Sequence, residues 1–377
     1  MNYELSEEQE LLRRTVREFA QTRVAPLAEE LDRESRFPYE LVAEMGELGL
    51  MGIPVPEEYG GAGADTISYA LAIEELTRID SSVAITVAAH TSLGTMPIAL
   101  FGSDEQKREW LPRLATGRGL AAFGLTEPEA GSDAGATKTH AELHNGSWVV
   151  NGSKMFITNA GTDISACVTI VARTGEDEVS NIVVPNGAPG YELSAPLEKL
   201  GWRASDTREL VFKDCTVPAG NLLGERGRGF QQFLEILDGG RISVAAMGVG
   251  LAQGAYDLAF SYAQERNQFG RPIARFQAVQ FALADMATEI EAGRQLVYKA
   301  AWLKDEQRPF AREAAMAKLY TGELSHRVVN HALQVHGGYG FMDEFAISRL
   351  YRDQKVLEIG EGTNEVQRMV IARLLGL

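Results

Sequence analysis

The chain has 377 residues, with 36 basic and 52 acidic side chains and a formal charge of −16. That length supports two or three domains with sizeable cores, and the acidic balance disfavours nucleic acid or an anionic membrane as the general partner while leaving room for a small anion in a locally basic pocket. Two cysteines, Cys167 and Cys215, are too few for a disulfide framework, and no C-x-x-C or H-E-x-x-H pattern points to a metal.

The opening residues, Met1 to Glu8, lack the basic and apolar regions of a signal peptide. No apolar run reads as long enough to span a bilayer. The expectation is a cytoplasmic protein. Helical periodicity begins at once: Ser6 and Gln9 have capping-box spacing, and Leu11, Leu12, Val16, Phe19 and Ala20 form one apolar stripe. A second helix is predicted from Tyr39 to Leu48, stopped by Gly49. The loop 54–63 is rich in breakers. Helices follow at 68–78, at 82–101 (apolar on most sides) and at 103–114.

Near residue 120 the period changes. Ser147 to Val150 reads as a strand followed by an Asn151-Gly152 turn, and 155–158, 166–173, 181–184 and 210–212 read as further short strands. Helical spacing returns after Gly229, with segments at 230–265, 276–304, 311–333, 343–358 and 360–377. The fold class is therefore mainly α with a central β domain. Residues 1–119 form an N-terminal helical domain, 120–225 a small antiparallel barrel or sandwich, and 226–377 a four-helix bundle.

Five stretches could carry chemistry. Phe123 to Gly135 offers small residues, hydroxyls and exposed N–H groups suited to a polar ring or a phosphate, or else is a plain linker. It is neither a G-x-G-x-x-G fingerprint nor a P-loop. Asp238 and Arg241, at i and i+3, make a surface ion pair or a clamp for a ligand head group. Arg266, on the Arg-Asn-Gln-Phe-Gly run with Gln277 downstream, suits phosphate or is a solvated helix end. In 334–341 glycines end a helix, and His336 reads as a packing residue rather than a metal ligand. Lastly, Glu361 stands between Gly360 and Gly362, before Asn364 and Gln367 at capping spacing. It is an acid placed to suit the helix dipole, or a catalytic base on a bare turn.

In this order and spacing, the strings Glu-Glu-Tyr-Gly-Gly (57–61), Leu-Thr-Glu-Pro (125–128), Ala-Gly-Ser-Asp (130–133), Phe-Ile-Thr-Asn (156–159), Arg-x-x-Phe-Gly (266–270), Gln-x-x-Gly-Gly (334–338) and Glu-Gly-Thr (361–363) resemble the acyl-CoA dehydrogenase family, most of all its short-chain and branched-chain members. The resemblance covers essentially the whole chain. It implies FAD between the β domain and the C-terminal helices, an acyl-CoA substrate, an electron-transfer flavoprotein as acceptor, and a homotetramer built as a dimer of dimers. Phe123, Leu125, Thr126, Gly131 and Ser132 would line the flavin and its phosphates. Phe156, Ile157 and Thr158 would cover the ring's other side. Arg266, Gln268, Phe269, Gln277, Gln334, Val335, Gly337 and Gly338 would hold the ADP half of a neighbour's FAD, and Thr363 and Glu365 would touch the nucleotide. Ser132, Asp238, Arg241 and Gly362 would contact the CoA thioester.

Glu361 is then implied as the base that removes the α proton, while flavin N5 takes the β hydride to leave a trans-2-enoyl-CoA. A free Glu has a pKa of ~4.3 and makes a feeble base, so exclusion of water must raise it. Two departures from the family pattern stand out: Gly360 stands where many relatives carry an aromatic residue, which removes bulk beside the acyl chain, and Phe156 where many carry tryptophan, though it can still stack on flavin. Some relatives place their base on the helix of Asp238 and Arg241, and the corresponding slot here is Gly240, without a carboxylate. The rivals are an oxidase of the same fold that uses oxygen, and a flavin-bearing relative that binds nucleic acid.

Overall fold

A computed structural model describes residues 4–377. The first three residues, part of the stretch read above for a targeting segment, lie outside the described residues. The amino-terminal unit holds α1 (Glu7–Phe19), α2 (Ala28–Glu34), α3 (Tyr39–Glu47), α4 (Thr66–Thr77), α5 (Ser81–Ala88), α6 (Met96–Phe101) and α7 (Asp104–Ala115). α1 starts at the expected capping box, with the Gln9 amide donating to Ser6 Oγ and the Ser6 amide to Gln9 Oε1. α2 was not foreseen, because its seven residues are mostly charged and show no apolar period.

The apolar stretch 81–101 is not one regular helix. α5 passes into a π-helix, Ala89–Thr95, which passes into α6. Contrary to the sequence reading, Ser81–Phe101 is long and apolar enough to cross a membrane by length and composition, but most of it is buried inside this fold. Its apolar surface is already covered by protein, as a core helix requires.

The middle unit is one eight-stranded mixed sheet: β1 (Leu120–Gly124), β2 (His140–His144), β3 (Ser147–Thr158), β4 (Ser165–Arg173), β5 (Val179–Pro185), β6 (Tyr191–Leu193), β7 (Thr207–Pro218) and β8 (Leu222–Leu223). The expectation of a purely antiparallel domain is corrected, since β1 and β2 both pair with β4 in parallel. β2 pairs with β4 only at His140↔Arg173. The sheet is thereby split into β6-β7-β3-β2 and β1-β4-β5-β8, whose inner faces share a core of Trp148, Val150, Phe212 and Cys215 with Val168, Ile170 and Ile182.

Asn151-Gly152 is not a turn. The hairpin turn is Asn145-Gly146, both at positive φ, and β3 runs on through 151–158 as one strand. Asn151 instead faces a bulge in β7: its side chain accepts from the Asp214 amide at 2.8 Å and donates to Asp214 Oδ1 at 3.1 Å. A second irregularity, between Lys154 and Ile157, leaves Phe156 at φ 62° with its ring 66% exposed.

The carboxy-terminal unit is built from α8 (Gly229–Glu265), α9 (Gln277–Asp305), α10 (Ala311–His336), α11 (Ala346–Asp353) and α12 (Asn364–Leu374), with a small hairpin of β9 (Asn267–Gln268) and β10 (Arg271–Pro272) after α8. The helix expected over 343–358 is shorter, since Gln354–Glu358 tightens into a 3₁₀ turn. α8 runs between α10 and α4, and small residues let it do so: a Cβ at Gly250 would lie 2.3 Å from the Glu74 carbonyl oxygen. The main hydrophobic core joins α1 and α4 to α8, α9 and α10, so the helical units on either side of the sheet share one interior.

Candidate active site

A turn after the 3₁₀ segment 354–358 presents Glu361. Its φ is 52° and that of Gly362 is 90°, so two successive residues are left-handed. The expected capping pair is displaced by one residue. Thr363 is the N-cap of α12, with its hydroxyl accepting from the Val366 amide at 3.3 Å. Asn364 is buried, and Gln367 reaches back to donate from Nε2 to the carbonyls of Glu361 (3.2 Å) and Gly362 (3.0 Å).

The Glu361 side chain points onto α8 at Gly240, where a Cβ would lie 2.1 Å from Oε2 and 3.2 Å from a Leu93 methyl. Leu93 comes from the π-helix, whose wider turn shifts the register of the side chains it carries. Although Glu361 as a residue is half-buried, its Oε2 is shut off from water and has no hydrogen-bond partner among the described residues. Burial raises its pKa to about 7, against the downward pull of Arg241 and Lys318. A carboxyl group with that pKa is half-ionised near neutral pH, as a general base should be.

Asp238 and Arg241 do not form the surface pair that their spacing first suggests. Arg241 is 4% exposed, ion-paired to Asp238, and its Nε has no partner among the described residues. Two buried, unpartnered polar atoms of opposite charge, Glu361 Oε2 and Arg241 Nε, thus belong to one small region. Gly362 adjoins them on the turn.

The loop after β1 lies beside this region. Phe123 is buried against Phe233 and Ile236 of α8, with Leu125 packed on the same cluster. Thr126 accepts the Met155 amide at 2.8 Å, which ties the loop to β3. Glu127, which sequence inspection left without a role, is buried with Lys154 at 2.7 Å and accepts from the Lys138 and Thr139 amides, so it fixes the loop from below. Gly131 and Ser132 are exposed, and a Cβ at Gly131 would meet nothing within 4 Å. Ile157 is buried and Thr158 half-buried beside the exposed Phe156 ring.

The remaining predicted residues form a second group. Arg266 lies over the Tyr339 ring at 5.3 Å, which joins the β9–β10 hairpin with Gln268 and Phe269 to the turn of Gly337 and Gly338. Phe269 is 93% exposed, and Gln277 and Gln334 are exposed with Val335 half-buried. His336 stacks on Tyr262 at 4.5 Å and bonds the Ala332 carbonyl, as a packing residue. Among the described residues, no hydrogen bond or ion pair joins this group to the Glu361 turn. Glu365 is exposed at the start of α12.

The sequence does not announce the roles of three residues around Glu361. Leu93 and Lys318 sit on other helices, and only tertiary packing brings them to the turn; for Gln367 the spacing suggests a cap, whereas its side chain holds the turn's carbonyls. The chemistry of the residues present fits a flat, anionic cofactor. Phe156 offers an open ring face, the 123–132 loop offers backbone without side-chain bulk, and a second basic, glycine-rich surface carries Arg266.

Sequence models of the acyl-CoA dehydrogenase N-terminal, middle and C-terminal domains match residues 6–118, 122–215 and 227–376. The chain is 52% identical over 378 residues to the probable acyl-CoA dehydrogenase YngJ of Bacillus subtilis, covering 100% of each. It superposes on butyryl-CoA dehydrogenase from Megasphaera elsdenii with a TM-score of 0.97 and 41% identity, covering 100% of both chains. It also matches a Bacillus anthracis acyl-CoA dehydrogenase complexed with FAD, at a TM-score of 0.94 and 37% identity, over 99% of this chain and 67% of that one.

Proposed function

The chain belongs to the acyl-CoA dehydrogenase family, and from that premise we propose that it uses FAD to introduce a trans double bond between the α and β carbons of a short or branched acyl-CoA, with Glu361 as the base. The single observation that carries the assignment of the base is a carboxylate oxygen shut from water, unpartnered, and held against a glycine on α8.

Each residue has a derivable part. Glu361 Oε2 takes the α proton, and its pKa of about 7 makes it basic enough to do so while leaving a good fraction ionised at neutral pH. Arg241, buried beside it, favours the negative charge that gathers on the thioester as the proton leaves. Asp238 keeps the guanidinium in place. Phe156 and Thr158 would cover one face of the isoalloxazine, Leu125 and Thr126 would meet its edge, and Gly131 and Ser132 would reach the phosphates. Arg266, Gln277 and the 334–338 turn would bind the adenine nucleotide end from a second subunit of a homotetramer. Bound FAD supplies the two-electron acceptor that oxidation of a CH–CH bond requires, and an electron-transfer flavoprotein is the acceptor in turn. Water exclusion by Leu93 and the π-helix protects the polarised thioester.

Gly360 supports the short or branched preference. A Cβ there would meet only Val356, with the carbonyl oxygen at 3.4 Å, so space stays open beside the base. Kinetics with a panel of CoA esters should peak at short or branched chains, and a maximum at long straight chains would overturn that preference. Glu361→Gln should retain FAD and bind acyl-CoA yet lose turnover by about 10³-fold or more, as removal of a general base does. A variant that still turns over near the wild-type rate would exclude Glu361 as the base.

A further inference from the structure

The Glu361 turn is not part of a regular helix. Its residues are left-handed, and the helix that follows begins only at Asn364. Gln367 of α12 holds the Glu361 and Gly362 carbonyls from the segment that follows, and one side chain of another helix holds the turn from outside. Lys318 lies on α10 with its side chain fully buried. Its Nζ donates to the Gly362 carbonyl at 2.7 Å and to Asn364 Oδ1 at 3.3 Å. The same stretch of α10 lies close to the turn through Gly322, where a Cβ would be 3.1 Å from the Leu357 carbonyl oxygen and 3.2 Å from Asn364 Oδ1.

We propose that Lys318 is the positioning residue for Glu361: its ammonium group clamps the turn at Gly362 and supplies the positive charge beside which the carboxylate ionises. The inference rests on the reading of Glu361 as the base, and it adds a residue that touches no reacting atom. Burying a lysine is costly unless it is paired and hydrogen-bonded. Here the hydrogen bonds go to the backbone and side chain of the turn, and the anionic charge that bears most on the amine is Glu361. The other charges bearing on the amine are Arg241 of α8, Glu358 of the 3₁₀ turn and Glu365 of α12.

Two consequences follow from the electrostatics. An adjacent cation lowers the proton affinity of a carboxyl group, and Lys318 pulls Glu361 down from the value that burial alone would set. Burial in turn lowers the Lys318 amine to about 8. The charge is therefore present at neutral pH and is lost on the alkaline side, where the clamp weakens.

The test compares wild type, K318M, K318R and E361Q as FAD-loaded protein. Two readouts are used: the pH profile of kcat with a short-chain CoA ester, and hydrogen–deuterium exchange of residues 360–365. K318M should lower kcat about 10-fold or more with KM changed far less, as loss of alignment does. Its acid limb should move to higher pH by about one pH unit, because the neighbouring cation is gone. Exchange across 360–365 should speed up. K318R keeps its charge at all accessible pH, so its alkaline limb should leave the assay range. A K318M protein with wild-type kcat, acid limb and exchange overturns the proposal. If K318M fails to fold, K318R decides: an alkaline limb at the wild-type pH overturns it. Full turnover by E361Q would instead refute the base, and the exchange comparison would still report whether Lys318 holds the turn.

Discussion

Gly240→Ala isolates the contact on which the site depends. The methyl group would be placed 2.1 Å from Glu361 Oε2 and 3.0 Å from its carboxyl carbon. Oxygen and carbon do not approach that closely, so the carboxylate must retreat by about 1 Å to reach even a tight contact distance. The obstacle is the end of a flexible side chain, so the fold absorbs the change cheaply. Alanine also favours a helix over glycine by ~1 kcal/mol, and α8 is helical without interruption there. Stability and activity should therefore part. The melting temperature should hold or rise, while a ~1 Å displacement of the base lowers kcat by about 10²-fold. Thermal unfolding and steady-state kinetics on the same preparation measure both. An alanine variant with wild-type kcat would show that the carboxylate does not work from its place against α8, and the geometric argument for Glu361 would fall with it.

The pH dependence should follow Glu361 itself. Only the ionised carboxylate accepts a proton, so kcat should fall roughly tenfold per pH unit below about 7 and hold above it up to the alkaline limb set by Lys318; a profile flat down to pH 5 would contradict the raised pKa. Stability runs the opposite way for this group. Its pKa is higher folded than unfolded, so its ionisation costs stability as pH rises from 4.5 to about 7, and Glu361→Gln should be more stable than wild type at pH 8. His90 gives a separate test. It is fully buried, its Nδ1 accepts the Ala121 amide at 3.0 Å, and its Nε2 donates to the Leu114 carbonyl at 3.0 Å, so it joins α7 to β1. Burial lowers its pKa to about 4. A neutral form favoured by folding contributes stability above 6.5 that is lost as pH falls towards 4, about 3 kcal/mol over that span. Melting curves of wild type and His90→Gln should converge across this range, and parallel curves would refute the claim.

The sequence by itself determined the elements whose signals are local. Ser6 with Gln9 placed the start of α1, and Gly49 the end of α3, because caps and left-handed residues are decided within a few positions. The long helices after Gly229 followed from period alone. The strings around 125–133, 156–159 and 361–363 marked the candidate site, since each is a run of consecutive residues. Asn151-Gly152 misled because the same dipeptide that turns a hairpin also suits a strand opposite a bulge, and only the pairing with β7 distinguishes them. The 81–101 stretch misled because nothing in its composition announces a π-helix.

Tertiary structure alone decided how the pieces meet. Asp238 and Arg241 look like a solvated pair until α8 is packed among its neighbours and the guanidinium is buried. Glu361 is an ordinary acid until Gly240 and Leu93 close on it, and its raised pKa is a property of that enclosure. Lys318 is 43 positions away in the chain and carries no motif; it reaches the turn only because α10 packs there. Local signals fix backbone angles over a few residues, whereas burial and charge depend on which distant atoms displace water, and that is known only once the chain has folded.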